Sequence, residues 1–406
     1  MGNVVELEPA GGRGRRRRTR SKTALVLGGG GFTGAVYEIG ALRALDLLSV
    51  NRTVNDFDVY VGTSAGALVG ALTANGITPE QMMRAVNDQE RQSFPSFSLD
   101  TLLRPNFREF AIKGLRFPLH LAGVARTLGR NLGSFSLVDL AIALAGALPS
   151  GLYTGAGVEE YVRTVLSEDG RSDDFRELAC ELYLAATDLD TCERIVLGAE
   201  GWDDVPISSA VRASTALPMV YEPHRVKDRE LVDGGIVSTT NLDIAVEAGA
   251  KFIVVVNPLV PYVNDFTRTR RISDMGFPKI GYQTFKLLAY QRLHEMAERW
   301  QERYPGVDIV LIEPEPDDEL MFQTNVLNYN ARIAVARHGF HSVTAKLAAG
   351  YDEWREVASR HGIEISATRV RKVVEHYSAE KEKTRAWRRI LEQTTGTLLR
   401  QSAGDR

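Results

Sequence analysis

The segment GTSAG at residues 62–66 constrains the fold of this chain more than any other part of the sequence. It follows a short strand-like run, residues 57–61, and precedes a helix-like run that begins at Ala67. A G-x-S-x-G pattern between a strand and a helix is typical of a nucleophile elbow, a sharp turn that lifts a serine clear of the sheet. The glycines leave room for the crowded backbone, and the following helix directs free N–H groups toward the serine. The pattern predicts a nucleophilic Ser64.

Short apolar runs of the buried-strand type recur along the chain and alternate with helical patterns. The runs are residues 23–27, 57–61, 182–186, 194–197, 251–257 and 308–312. After the first run, apolar residues from Ala35 to Leu48 are spaced for one face of a helix. Strands that alternate with helices favour an α/β fold in which helices cover both faces of a mostly parallel, doubly wound sheet.

The glycine-rich segment GGGGFTG at residues 28–34 has two interpretations. Gly29, Gly31 and Gly34 fit the G-x-G-x-x-G pattern of a dinucleotide-binding turn between a strand and a helix, as in an oxidoreductase. Asp58, near the end of the second strand, would then be the acid that binds the ribose. Alternatively, successive backbone N–H groups of this segment hold the oxyanion of an acyl-transfer intermediate. The elbow on the next strand favours acyl transfer, because a dinucleotide site gives no reason for a serine there.

A serine hydroxyl is a poor nucleophile until a base removes its proton. None of the seven histidines stands in a recognisable loop motif after a strand, and His294 lies in a helical stretch. Asp233 instead follows a short strand-like run and precedes Gly234 and Gly235, which let the backbone turn tightly around it. An isolated DGG is most often a simple turn. Together with the two other glycine-rich segments, it predicts a carboxylate that contacts Ser64.

The three segments GGGGFTG, GTSAG and DGG, in this order and at these separations, resemble the motifs of the patatin-like phospholipases. That family consists of lipid acyl hydrolases with a Ser–Asp dyad. Further similar segments are ATDLDTCERIVL at 186–197, ASTALP at 213–218 and NLDIAVEAGA at 241–250. The likeness covers roughly residues 23–260 and continues more loosely to about 350. The resemblance implies a three-layer α/β/α fold, a lipid or ester substrate and no cofactor.

The resemblance also implies a role for individual residues of the three segments. Ser64 would be the nucleophile and Asp233 the base in the hydrolysis of a carboxylic ester through an acyl-serine intermediate. Gly29, Gly30 and Gly31 would supply the N–H groups of the oxyanion hole. The turns around the two catalytic side chains would be supported by Gly62, Gly66, Gly234 and Gly235.

One position departs from the family pattern. The family usually has Arg or Lys two positions after the glycine triplet, where this chain has Thr33. A positive charge near the oxyanion would have to come from another residue, for which Arg212 is a candidate. The departure supports an alternative function, in which the protein has the same fold but weak catalytic activity and acts as a binding or regulatory protein.

The net charge of −3 is unevenly distributed. Seven basic residues and no acidic ones lie between Arg13 and Lys22, so the rest of the chain sums to −3 − 7 = −10. Residues 1–22 are predicted to form a disordered basic arm, since they show no hydrophobic periodicity. Such an arm is either a solvated tail or a segment that is attracted to anionic lipid headgroups. Nucleic acid is a less favoured partner, because nothing else in the chain supports it.

Residues 23–350 are predicted to form the catalytic domain, and an insert at about 88–150 interrupts its alternation of strands and helices. Between 101 and 150 the sequence has six Lys or Arg against two acids. The insert is predicted to be a helical cap packed on the core, or one that also forms an acyl-chain pocket or touches a membrane. Residues 351–406 are predicted to be a charged helical C-terminal extension, solvated unless it mediates dimerisation or lipid contact.

Several classes of protein are disfavoured by the sequence. Cys180 and Cys192 give no framework of disulfides, which favours a reducing compartment. No metal-ligand pattern of the CxxC, HExxH or EF-hand type occurs, so no metal is predicted. The most apolar stretch, Leu137 to Leu148, is too short to span a bilayer, and the basic arm lacks the apolar region of a secretory signal. We expect a cytoplasmic protein, peripheral to a membrane if it is bound to one, and the sequence leaves its oligomeric state open.

Overall fold

The structure is a computed structural model that describes most of the predicted catalytic domain. The described residues are 21–87, 103–130, 148–265, 267, 270–316, 318, 320–321, 331–372 and 375, with the backbone alone described at 119–130 and 278. Most of the predicted basic arm lies outside this description, as do residues 88–102 and 131–147 of the predicted cap and residues 376–406 of the predicted extension. Lys22, which was assigned to the arm, instead donates a hydrogen bond to the carbonyl of Ala248 at 2.7 Å.

The described residues form ten strands. In chain order they are β1 (Thr23–Leu27), β2 (Val59–Thr63), β3 (Gly151–Tyr153), β4 (Glu181–Asp188), β5 (Arg194–Leu197), β6 (Met219–Tyr221), β7 (His224–Val226), β8 (Arg229–Asp233), β9 (Phe252–Val256) and β10 (Asp308–Ile312). Eight of them form one sheet in the order β10-β9-β1-β2-β4-β8-β7, with β5 also paired to β4. β3 and β6 form a separate parallel pair.

The sheet is mostly parallel, as the sequence predicts. β10, β9, β1, β2 and β4 run in the same direction, whereas β5 and β8 run antiparallel to β4, and β7 antiparallel to β8. Apolar residues predominate in the parallel strands, and β1, β2 and β9 are buried along their whole length because both of their faces are covered. The carboxyl ends of β1 and β2 lead directly into the two glycine-rich turns, so both turns lie at the same edge of the sheet.

Helices pack on both faces of the sheet. The described α-helices are α1 (Gly31–Leu48), α2 (Ala65–Ala74), α3 (Pro79–Val86), α4 (Phe107–Arg130), α5 (Ala156–Leu166), α6 (Ile207–Ser214), α7 (Leu242–Glu247), α8 (Phe277–Ala297), α9 (Trp300–Arg303), α10 (Arg332–Ala349) and α11 (Tyr351–Arg360). Successive residues of β1 point to opposite faces. Leu25 packs in one core cluster with α1 and α2, whereas Val26 packs in a second with α7 and α8. The fold is therefore a three-layer α/β/α sandwich.

The first part of the predicted C-terminal extension packs against this sandwich. Ser49 and Ile365 form an antiparallel bridge, and the N–H of Val50 donates to the carbonyl of Glu364 at 2.9 Å. Trp354 and Ile363 pack against the main core cluster, and Ala358 is buried. The charged residues of α11 face outward while its apolar residues face the sheet, so α11 and the segment after it are not a solvated tail.

The described part of the predicted cap is mainly the long helix α4. Glu109 anchors its beginning by accepting hydrogen bonds from the N–H and hydroxyl of Ser150, at 3.0 and 2.8 Å. Large apolar side chains along α4 remain outside the core, since Phe107 is 74% and Leu115 is 82% exposed. Within the described ranges, every helix of the protein is too short or too polar to cross a bilayer.

Candidate active site

Ser64 stands on a strained turn between β2 and α2. Its backbone has φ 55° and ψ −120°, a conformation that a non-glycine residue rarely adopts. Ser214 holds the turn from α6: its Oγ accepts the N–H of Ser64 at 3.0 Å and donates to the carbonyl of Ala185 at 2.6 Å. The sequence predicted the turn but not Ser214, because a contact across 150 residues leaves no local signal.

Two glycines allow this turn to pack against the neighbouring strands. A Cβ on Gly62 would lie 2.6 Å from the Cα of Ala67, and a Cβ on Gly66 would lie 2.2 Å from the carbonyl oxygen of Leu27. Both contacts are with backbone atoms, which cannot move aside as a flexible side chain could. The start of α2 is thereby pressed against the end of β1, which brings Ser64 next to the glycine-rich turn after β1.

The two glycines of α2 give a matched test of this packing. We expect Gly66→Ala to lower the free energy of unfolding by about 3 kcal/mol, at the upper end of the usual cost of overpacking, because the added methyl group overlaps the β1 backbone. Gly70→Ala should instead raise it by about 0.5–1 kcal/mol, since its methyl group would meet only ordinary contacts, the nearest at 3.7 Å, and alanine favours a helix. Urea unfolding followed by circular dichroism measures both changes. Equal stability of the two variants would contradict the packing.

The sheet register explains why Asp233 meets Ser64. On β4, Ala185 pairs with Thr63 of β2, and the next residue, Ala186, pairs with Asp233 of β8. β2 is parallel and β8 antiparallel to β4, and both pair with the same edge of β4, while β5 pairs with the other edge. The carboxyl ends of β2 and β8 therefore point toward each other and meet near Ala185 and Ala186. Ser64 and Asp233, which are 169 residues apart in sequence, are thus adjacent at the same end of the sheet.

Ser64 and Asp233 form a direct hydrogen bond. The Oγ of Ser64 donates to the Oδ2 of Asp233 at 2.6 Å, and the N–H of Gly235 donates to Oδ1 at 2.7 Å. Ser64 is 9% and Asp233 only 3% exposed. Burial raises the pKa of Asp233 to about 6, although both hydrogen bonds oppose the rise by stabilising the carboxylate. The carboxylate is therefore a stronger base than an exposed aspartate and is still mostly ionised at neutral pH.

The glycine-rich turn lies beside Ser64, but its N–H groups are not all free. The N–H of Gly29 donates to the carbonyl of Thr239 at 2.9 Å, so it is not available to an oxyanion, contrary to expectation. The N–H groups of Gly30, Gly31 and Ala65 have no acceptor among the described residues, and all three residues line the cavity next to Ser64. Ala65 was not among the predicted donors, although the residue after the nucleophile is a usual oxyanion donor in an elbow.

A cavity of about 140 Å³ opens in front of the Ser64–Asp233 pair and is almost entirely apolar. Its walls come from several parts of the chain. They include Phe32, Leu68, Leu217, Tyr221, Leu259 and Phe285. Among the described residues that line it, none is Lys, Arg or His. The cavity fits the hydrocarbon part of a ligand rather than a charged group.

Arg212 does not compensate for Thr33. Its guanidinium group donates to Glu159 at 2.9 Å, to Glu222 at 3.0 Å and to the carbonyl of Thr154 at 2.8 Å. It does not line the cavity, whereas Thr33 is itself buried in α1. Among the described residues that line the cavity, the groups that could stabilise an oxyanion are therefore neutral N–H donors at helix N-termini.

The geometry disfavours the dinucleotide interpretation. Asp58 does not lie near the end of β2 but immediately before its first residue, and its Oδ2 accepts hydrogen bonds from the N–H and hydroxyl of Thr23 at 2.8 and 2.9 Å. The five residues of β2 separate it from the glycine-rich turn by about 16 Å. The predicted strand began two residues too early because Phe57 resembles a strand residue. Within the described ranges, no group of three His, Cys, Asp or Glu side chains is placed to hold a metal ion.

The chain is similar to several known proteins. The sequence profile of the patatin-like phospholipases matches residues 25–246, more than half of the chain. A curated relative, the "Probable lipid hydrolase 463L" of Invertebrate iridescent virus 6, is 22% identical over 229 residues, which are 55% of this chain and 63% of that protein. This chain thus matches less than two thirds of the length of that relative.

Similar solved structures have low sequence identity. VipD from Legionella pneumophila has 14% identity and a TM-score of 0.33, with 85% of this chain and 74% of that chain covered. The type III effector protein ExoU of Pseudomonas aeruginosa has 16% identity and a TM-score of 0.33, with coverages of 82% and 53%. Human GIVD cytosolic phospholipase A2 has 11% identity and a TM-score of 0.31, with coverages of 88% and 60%. On the match of the family profile to residues 25–246, this chain belongs to the patatin-like phospholipase family.

Proposed function

We propose that this protein hydrolyses carboxylic esters of lipids, with Ser64 as the nucleophile and Asp233 as the base. The observation that carries the proposal is the 2.6 Å hydrogen bond from the serine hydroxyl to a buried carboxylate. Two further observations support it: the bond lies at a cavity with apolar walls, and the chain belongs to a phospholipase family. The name of the viral relative points to the same class of substrate.

The first half of the proposed reaction transfers the acyl group to the serine. Asp233 accepts the proton of Ser64 Oγ while that oxygen attacks the carbonyl carbon of the ester. The tetrahedral intermediate carries a negative oxygen. When it collapses, the bond to the alcohol oxygen breaks, and the proton held by Asp233 passes to the departing alcohol. The products of this half are the free alcohol and an ester between Ser64 and the acyl chain.

The second half releases the acid and restores the enzyme. Water gives a proton to Asp233 as its oxygen attacks the acyl-serine carbonyl. Collapse of the second intermediate breaks the bond to Ser64 Oγ, which takes the proton back from Asp233. One water is consumed for each ester, and the chain of proton transfers needs no group besides the Ser–Asp pair.

The negative oxygen of both intermediates would be held by the N–H groups of Gly30, Gly31 and Ala65. These groups stand at the N-termini of α1 and α2, where the helix dipoles also favour negative charge. Loss of one such donor in comparable sites costs about 10²- to 10³-fold in rate. The absence of Lys and Arg from the described lining favours the alternative function, a protein of weak catalytic activity that mainly binds lipid.

The pH dependence of hydrolysis tests the proposed function. Asp233 must be ionised to accept the serine proton, so kcat/KM for a medium-chain p-nitrophenyl ester should rise with pH and be half-maximal near pH 6. Initial rates from pH 4.5 to 8, at constant ionic strength, measure the profile. A rate that does not change between pH 5 and 8 would exclude Asp233 as the base. A folded protein with no turnover at any of these pH values would favour the binding alternative.

A further inference from the structure

We infer that a second apolar cavity, next to the one at Ser64, holds the far end of the acyl chain and sets the chain length that the enzyme prefers. We call the two spaces the outer cavity, at Ser64, and the inner cavity, of about 50 Å³. The inference rests on the proposed function, since it assigns the substrate of that same site. It makes the substrate an ester of a medium or long fatty acid rather than of a short one.

The two cavities adjoin each other. Phe32, Ala35 and Leu68 line both of them. Beyond these shared residues, the inner cavity lies where four helices meet. Its walls include Ile39 of α1, Leu72 of α2, Met82, Ala85 and Val86 of α3, and Tyr161 of α5. These shared side chains stand where the two spaces adjoin, so we expect an acyl chain that extends past Phe32 to enter the inner cavity.

The direction of α2 links the inner cavity to the reacting serine. Residues four apart on a helix lie on one face, and Ser64, Leu68 and Leu72 follow this spacing from the elbow onward. At 1.5 Å per residue, the distance along the helix from Ser64 to Leu72 is about 12 Å. An acyl group attached to Ser64 Oγ would extend along this face of α2. A short acyl group would end in the outer cavity, whereas a longer one would reach Leu72.

The chemistry of the inner cavity selects a hydrocarbon. Its described lining is aliphatic and aromatic, and the hydroxyl of Tyr161 is its one polar side-chain group. A headgroup or another polar ligand would lose its hydrogen bonds to water there without replacement. Empty apolar cavities stay dry and accept apolar ligands. Each methylene that moves from water into such a cavity strengthens binding by about fourfold.

Filling the inner cavity should change the chain-length preference. The test compares kcat/KM for p-nitrophenyl dodecanoate with that for p-nitrophenyl butyrate in the wild type, Ala85→Phe and Arg84→Phe. Ala85→Phe places a ring in the inner cavity, so the ratio should fall by about tenfold or more, the effect of two or more lost methylene contacts. Arg84 is the neighbouring exposed residue of α3, so Arg84→Phe adds the same ring outside the cavity and should keep the wild-type ratio. Equal ratios in all three proteins would overturn the inference.

A second variant tests the same inference if the Ala85→Phe protein does not fold. Met82→Ala enlarges the inner cavity, so the preference should shift toward longer esters, seen as a rise in the ratio of the hexadecanoate to the dodecanoate rate. An unchanged ratio in this variant would also contradict the inference.

Binding without turnover separates this inference from the proposed function. Calorimetric titration of the wild type with butyrate, octanoate and dodecanoate should show affinity that increases with chain length, and Ala85→Phe should lose the gain between octanoate and dodecanoate. A protein that binds in this way but hydrolyses no ester would refute the proposed hydrolase function and support the chain-binding cavity. Hydrolysis with no dependence of binding on chain length would refute the cavity and leave the hydrolase function standing.

Discussion

Replacement of Ser64 by alanine is expected to lower kcat for ester hydrolysis by about 10⁴-fold or more. The variant has no oxygen to form the acyl-enzyme, and in comparable sites the loss of the nucleophile alone removes most of the catalysis. The backbone N–H of residue 64 still donates to Ser214, so the turn should keep its shape. Initial rates with a medium-chain p-nitrophenyl ester measure the effect, and circular dichroism confirms the fold.

A serine far from the cavity provides the control for that measurement. Ser167 is exposed just after the end of α5, and its hydroxyl donates to the carbonyl of Thr164 at 2.8 Å. Ser167→Ala should therefore retain the wild-type rate. If Ser64→Ala and Ser167→Ala were equally active, the hydrolysis would come from another site or from a contaminant, and the assignment of Ser64 would be wrong.

Residues close in sequence account for the parts of the fold that could be predicted. The apolar runs that became β1, β5 and β10 were located with their observed bounds, because a buried strand needs a short unbroken apolar segment. The bounds of β2 were displaced by two residues, since Gly62 and Thr63 do not resemble strand residues but pair with β4. The strands β3, β6 and β7 have three residues each, too few to show any periodicity.

Contacts between distant segments account for what could not be predicted. The sequence predicted that Asp233 contacts Ser64, but the reason, two strands that meet head-on along β4, is a property of sheet register. The bond from Gly29 to Thr239 spans 210 residues and removes a predicted oxyanion donor without any local signal. Similarly, the placement of α11 on the core depends on which of its faces is apolar and on a bridge to Ser49. The prediction of a solvated tail for this segment rested only on its many charged residues.

Replacement of Asp233 by asparagine is expected to change activity and stability in opposite directions. The amide cannot accept the serine proton, so kcat should fall by about 10³- to 10⁴-fold. The same change removes a buried charge. Burial raises the pKa of Asp233 from 3.8 to about 6, which means that the folded state binds the proton more tightly than the unfolded chain does. The stabilisation from this proton is complete below pH 3.8 and is lost as the pH rises through 6.

The pH dependence of unfolding distinguishes this explanation from a simple loss of contacts. At pH 8 the wild type bears the full cost of an ionised, buried carboxylate, about 3 kcal/mol for a shift of this size. Asparagine has no such cost and can still accept the N–H of Gly235. Asp233→Asn should therefore unfold at a higher urea concentration than the wild type at pH 8, with the difference shrinking toward zero near pH 4. If the variant is less stable than the wild type at pH 8, the hydrogen bonds of the Asp233 carboxylate stabilise the fold by more than its desolvation costs. The pKa of Asp233 would then not be raised, and the proposed mechanism would lose its base.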